Sequence, residues 1–203
     1  MSLEFRNIDK QDHKRAIDFA IRGMHFGIYF KAEDLAVGMY GKYFWYAELL
    51  KATQVIAAYD GEEFMGVLLA DMKGEPRKYK SFSKWIYVKF IELIQRFFAR
   101  GSAGAYDVAS EKMRRKYNGR KLDGEIRFFA ADPDKEGMGI GSALLEEFQR
   151  RESGKNIFLY TDDQCTYQFY EHRGFNRVGE ENIMLELELG EVPLKCFMYQ
   201  KNL

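Results

Sequence analysis

Cysteine is nearly missing from this chain: Cys165 and Cys196 are the only two among 203 residues. They match no zinc-ligand spacing and make no disulfide framework, so a small stapled secretory fold is excluded and a reducing cytoplasm is the simplest compartment. Histidine is almost as scarce, with three residues and no metal-ligand spacing, so no metal is expected. Net charge is lacking too, since 31 Lys and Arg balance 31 Asp and Glu. A chain with no overall charge has no global attraction for nucleic acid or an anionic membrane, and neither is expected as a partner. The first ten residues are mixed and charged, without the apolar stretch of a signal peptide. There is no internal repeat and no low-complexity segment, and the length suits one domain over residues 1–203.

What stands out is the segment 125–145. An apolar strand beginning at Glu125 passes through a turn with Gly137, Gly139 and Gly141 at alternate positions into an amphipathic helix. Glycines there let the backbone approach a ligand, and the free N–H groups of the first helical turn point at whatever anion sits before them. A nucleotide P-loop would need Lys after its last glycine, and none follows Gly141. A dinucleotide fingerprint would need a small residue where Leu144 stands. A tight strand-to-helix turn that binds nothing is the plain alternative.

A second segment, 161–175, follows the apolar strand Asn156 to Tyr160. Asp162 or Asp163 is placed to cap a short helix, Cys165 and Phe169 lie four apart on one face, and Gly174 offers the left-handed residue that ends it. Taken singly, Tyr170 reads as a half-buried packing residue.

The two segments together resemble motifs of the GNAT acetyltransferase superfamily. Gly139 and Gly141 at the head of a helix are similar to motif A, and Phe169-Tyr170-Glu171 followed by Gly174-Phe175 is similar to motif B. They stand in the family's order, about thirty residues apart, and the likeness is strong over residues 123–178. Two positions depart from the pattern: Glu136 replaces the leading Gln or Arg of motif A, and Asp163 replaces an Asn found in many relatives.

The resemblance implies a mixed, mostly antiparallel sheet flanked by helices, and acetyl-coenzyme A as acetyl donor to a primary amine. It assigns the pyrophosphate to the N–H groups of Gly137, Met138, Gly139, Ile140, Gly141 and Ser142. Phe129, Ala130 and Ala131 would line the pantetheine arm, with an oxyanion donor among the N–H groups near Ala130 or Ala131, where the strand bulges in relatives. Asp163 would contact the cofactor, and Tyr170 would be the general acid for the leaving thiolate. Glu125, fourteen residues before Gly139, stands where histone-type members carry their catalytic base. An exposed glutamate paired with a neighbouring cation is the alternative for Glu125.

Elsewhere, residues 3–8 read as a strand and Asp9 to Asp12 as the cap of a helix running to about His25. A second helix covers 33–51, and the Asp60-Gly61 turn marks a hairpin. Residues 72–123 form an insertion far longer than a usual connection. Within it 83–100 reads as a helix whose apolar residues pack in the same chain or a homodimer, or lie on a membrane. The basic run Lys112, Arg114, Arg115, Lys116, Arg120 and Lys121 is either solvated surface or an attractor for the cofactor's phosphate. Two strands, 177–189 and 195–201, close the chain, with Pro193 between them. The aromatic stretch His25, Tyr29, Tyr40, Tyr43, Phe44, Trp45 and Tyr46 is either core or the floor for a small-molecule amine. A lysine or N-terminal acetyltransferase of proteins is the enzymatic alternative. A noncatalytic acyl-coenzyme A sensor is the alternative of another class, kept open by the acidic Glu136 and Asp163.

Overall fold

Apolar runs of strand length, punctuated by turn residues, produce seven strands among the described residues: β1 (Leu3–Arg6), β2 (Gln54–Asp60), β3 (Glu63–Met72), β4 (Gly124–Ala131), β5 (Asn156–Asp162), β6 (Asn176–Leu187) and β7 (Gly190–Asn202). The helices are α1 (His13–Gly23), α2 (Asp34–Lys51), α3 (Phe82–Phe98), α4 (Ala105–Lys116), α5 (Ile140–Arg151) and α6 (Gln168–Glu171). This computed structural model describes residues 2–24, 34–98, 104–187 and 190–203. His25 and Tyr29 lie outside them.

One sheet forms with the order β1-β2-β3-β4-β5-β7-β6, antiparallel throughout except between β4 and β5. The mixed, mostly antiparallel sheet flanked by helices is as the sequence implied, and α3 and α4 are the helical insertion between the third and fourth strands. β2 and β3 are almost wholly buried because helices cover both faces of the sheet. On one face α5 sets Ile140, Leu144, Leu145 and Phe148 against Ile126, Leu159 and Tyr199. On the other, α1 and α2 bring Phe19, Trp45 and Leu49 onto Val67, Leu69 and Phe128, with the Trp45 and Phe128 rings edge to face at 5.2 Å. Farther along that second face, α4 packs Ala109 and Met113 on Phe158, Cys196 and Met198.

A bulge at Arg127 serves both faces. Leu69 pairs with Phe128 and Ala70 with Ile126, so Arg127 is the extra residue, and Ile126 and Phe128 end on opposite sides of the sheet. The bulge therefore lies three or four residues before the Ala130 and Ala131 expected from relatives.

Two further readings, those of Pro193 and of the helix after β5, are corrected. Pro193 sits within β7, opposite Met184, rather than in a loop. The ladder between β5 and β7 ends at Cys196, so no neighbour on that side needs the N–H that proline lacks. The basic run forms the end of α4, where Lys112 and Lys116 both hold Glu181 at 2.6 Å. Lys112 and Lys116 thus fasten α4 to β6 on the face opposite α5, while Arg115 pairs with Glu111 of its own helix and Arg120 and Lys121 beyond it are exposed. The helix after β5 is shorter than the capping residues suggested: Asp162 Oδ1 accepts from Gln164 N–H at 3.0 Å, capping a turn that precedes α6.

Candidate active site

β4 and β5 are paired for only three residues, from Gly124 with Ile157 to Ile126 with Leu159. Beyond that point both strands continue, β4 to Ala131 and β5 to Asp162, without pairing to each other. Asp132 N–H donates to Met65 O at 2.8 Å. Strand alternation from Asp132 turns the backbone of Ala130 toward β3 as well, and leaves the N–H and C=O groups of Phe129 and Ala131 facing the gap. Of the two alanines expected to offer an oxyanion donor, only Ala131 is so placed.

The gap leads to the head of α5. Gly139 is the N-cap residue with φ 77, and no side chain caps the first turn. Met138 N–H bonds to Lys135 O and Ala143 N–H to Gly139 O. Among the described residues no protein acceptor takes the N–H groups of Gly137, Gly139, Ile140, Gly141 or Ser142. Five unpaired donors at the positive end of a helix form an anion cradle. The glycines are needed for different reasons. Gly137 and Gly139 have φ 81 and 77, and a Cβ on either would meet no atom within 4 Å, so the space before them is open. Gly141 is needed for contact, since its Cβ would lie 3.2 Å from the Phe169 ring.

The turn is braced from below. Arg15 holds Asp132 at 2.9 Å, Arg22 grips Asp134 with two nitrogens, and Lys135 pairs with Glu63 at 2.5 Å. Glu136 and Met138 are exposed. A cation reaches the head of α5 from elsewhere: Arg173 Nη2 donates to Ser142 Oγ, and its guanidinium stacks on Phe169 at 3.8 Å. Sequence reading missed Arg173. Its only signal is that it precedes Gly174, and nothing in the chain announces that α6 would deliver it to the head of α5.

Tyr170 lies at the edge of the gap on the α5 face, among the rings of Phe129 (6.3 Å), Phe169 (5.4 Å), Phe175 (5.5 Å) and Tyr199 (6.1 Å). Burial pushes its phenol well above the ordinary value, so it keeps its proton. Neighbouring Glu171 is structural, accepting from Tyr199 Oη at 2.6 Å and Arg177 Nη2 at 2.6 Å. Asp163 is exposed and accepts from Lys195 N–H at 3.1 Å through Oδ1, in a bond that ties the end of β5 to β7.

Glu125 is on the opposite face, one residue before the strands part. It is neither exposed nor alone. Arg127 Nη1 bonds to its Oε2 at 2.8 Å, and Arg127 Nε bonds to Glu48 of α2. Burial raises the Glu125 carboxyl above the usual range, while the Arg127 guanidinium partly offsets this. Tyr160 on β5, near enough to feel the Glu125 charge, is pushed up to about 12, chiefly by burial. Tyr43 is likewise pushed up to about 12, and its ring lies 5.8 Å from that of Tyr40. Phe44 and Trp45 belong to the core against Phe128. Glu48 and Arg127, separated by 79 positions, carry no joint signal in the sequence.

A strand pair that opens into a V, a side-chain-free cradle at the adjoining helix and a tyrosine across the opening decide the architecture. The protein has the GNAT fold. No family model and no curated protein sequence matches the chain. Among solved structures, the histone acetyltransferase HPA2 and related acetyltransferase from Corynebacterium glutamicum aligns with a TM-score of 0.59 and 16% identity, over 98% of this chain and 96% of that one. PaiA N-acetyltransferase from Thermoplasma acidophilum, in complex with coenzyme A, aligns at 0.54 and 14% identity over 100% of both chains. NAA60 from Arabidopsis thaliana, in complex with a bisubstrate analogue, aligns at 0.53 and 12%, over 98% and 97%.

Proposed function

We propose that the protein transfers acetyl from acetyl-coenzyme A to a primary amine of a small molecule, by direct attack in a ternary complex. The observation that carries this reading is the opening between β4 and β5, with five unpaired N–H donors at one end and Tyr170 and Glu125 on opposite faces. The acetyl thioester supplies the activated acyl group. Gly137 to Ser142 would hold the pyrophosphate, with Arg173 as the nearby cation. Phe129 and Ala131 would bond the pantetheine amides and offer an N–H to the developing oxyanion.

An acceptor ammonium has a pKa of about 10 and must lose a proton before it can attack. Glu125, raised by burial, is suited to take it, and Arg127 favours the ionised form that does so. Tyr170, held protonated, donates to the leaving thiolate. Burial pushes both cysteine thiols up to about 12, so neither offers the thiolate that a covalent acyl-enzyme would need. Glu92 of α3 and Asp107 of α4 are both near enough to add to the burial that raises Tyr43, so the insertion reaches the tyrosines on the Glu125 side, and aromatic faces there suit a cationic amine.

Calorimetric titration of the purified chain tests the foundation. Acetyl-coenzyme A and desacetyl coenzyme A should bind at micromolar Kd and NAD should not; a folded sample that binds neither coenzyme A form ends this reading. An amine panel followed by peptides then separates small-molecule from protein acceptors, and binding without turnover on either would favour the sensor. Arg173→Met should raise the Kd for coenzyme A about 10- to 100-fold, the effect of losing a charge-assisted hydrogen bond worth roughly 1.5–3 kcal/mol. An unchanged Kd would remove Arg173 from the cradle.

A further inference from the structure

α3 packs on α2 with Val88 and Ile91 buried, yet five of the apolar side chains described on it are half exposed or nearly so. Phe82 is 75% exposed, Trp85 49%, Ile86 47%, Phe90 55% and Leu93 53%. At 3.6 residues per turn these five positions fall within an arc of about 140°, so they form one continuous face rather than scattered exposure. The Phe82 and Trp85 rings stack at 5.9 Å at the start of the helix. Lys89 stands amid the face and holds Glu92 at 2.7 Å.

The charge around that face is one-sided. Between Arg77 and Gln95 the chain has five cations, Arg77, Lys78, Lys80, Lys84 and Lys89, against the single acid Glu92. Arg77, Lys78 and Lys80 are exposed just ahead of the helix. On the side turned to α2, Lys84 lies over the Tyr46 ring at 5.0 Å and Lys42 of α2 over the Tyr87 ring at 4.6 Å, while Lys89 remains amid the apolar face. A second copy docked through the same face would set cations against cations with only Glu92 to answer them. An anionic surface meets both features at once, taking the apolar side chains into its acyl boundary and the cations at its phosphates. The neutral charge of the whole chain hides this, because the acids that balance these cations lie elsewhere. No helix among the described residues is long and apolar enough to cross a membrane.

We propose that α3 is a peripheral anchor that lays the protein on an anionic lipid bilayer, with Phe82, Trp85, Ile86, Phe90 and Leu93 entering the interface and Arg77, Lys78 and Lys80 contacting lipid phosphates. The anchor is independent of the acetyl-transfer reading, since it uses no residue of the cradle or the opening between β4 and β5.

Trp85 is a built-in probe, because Trp45, the other tryptophan, is already fully buried. Titrating the full chain with vesicles of three parts phosphatidylcholine to one part phosphatidylserine should shift Trp85 emission to the blue and carry the protein into the vesicle pellet. Binding should fall with added salt and on pure phosphatidylcholine. Lys78→Gln and Lys80→Gln should each cost about fivefold in partition, the share of one cation near such a surface. Trp85→Ser combined with Phe90→Ser should remove binding while circular dichroism stays unchanged, both positions being exposed. A folded chain that does not partition onto the anionic vesicles overturns the proposal, as does undiminished binding by the double variant. A dimer in sedimentation velocity that the double variant abolishes would assign the face to a second copy instead.

Discussion

Gly139→Glu is expected to abolish acetyl-coenzyme A binding in a chain that still folds. The substitution acts twice at the cradle. Gly139 has φ 77, a region that costs an L-residue about 1–2 kcal/mol, and the added carboxylate would stand where five N–H groups await an anion. Gly139→Ala separates the two effects. Its methyl enters open space, so it should cost about 1–2 kcal/mol of stability through φ alone and leave binding largely intact. Calorimetry on both variants, with thermal unfolding alongside, reads the difference. Full binding by a well-folded Gly139→Glu variant would remove the pyrophosphate from this turn.

Glu125→Gln is expected to lower kcat by roughly 10²–10⁴ while the Kd for acetyl-coenzyme A holds, the usual size of a general-base contribution. The pH profile identifies the role. Burial raises the Glu125 carboxyl, so the protonated, inactive form persists to higher pH than for an exposed glutamate, and the acid limb of kcat/KM lies above the ordinary carboxylate range. Arg127 favours the charged form, so Arg127→Met should move that limb to still higher pH. In Glu125→Gln the limb should vanish. A limb that survives the substitution unchanged would pass the base to another group or to water.

Much of the fold was legible because it rests on local signals. The alternating residues of β1, the Asp60-Gly61 turn and the spacing of Ile140, Leu144 and Phe148 each report their own surroundings, and all three elements form as read. The glycine cradle was legible for the same reason, since a left-handed residue and a capless helix start are properties of a few consecutive residues. Pro193 misled because proline was weighed as a turn signal, whereas its tolerance in β7 depends on where the β5 ladder stops. The basic run at the end of α4 is largely solvated surface, one of its two readings, but its tie to β6 was not legible, because Glu181 lies 65 or more positions downstream of Lys112 and Lys116.

By itself, the sequence determined the order of elements, the glycine turn that leaves N–H groups free and the pairing of that turn with Tyr170 in a recurrent pattern. Tertiary structure alone decided the rest. It placed Arg173 beside Ser142, tied Glu125 through Arg127 to Glu48, parted β4 from β5 after Ile126, and left one face of α3 exposed. Each of these depends on which distant side chain arrives at a given point. Charge pairing, desolvation and exposure are properties of that meeting rather than of either residue.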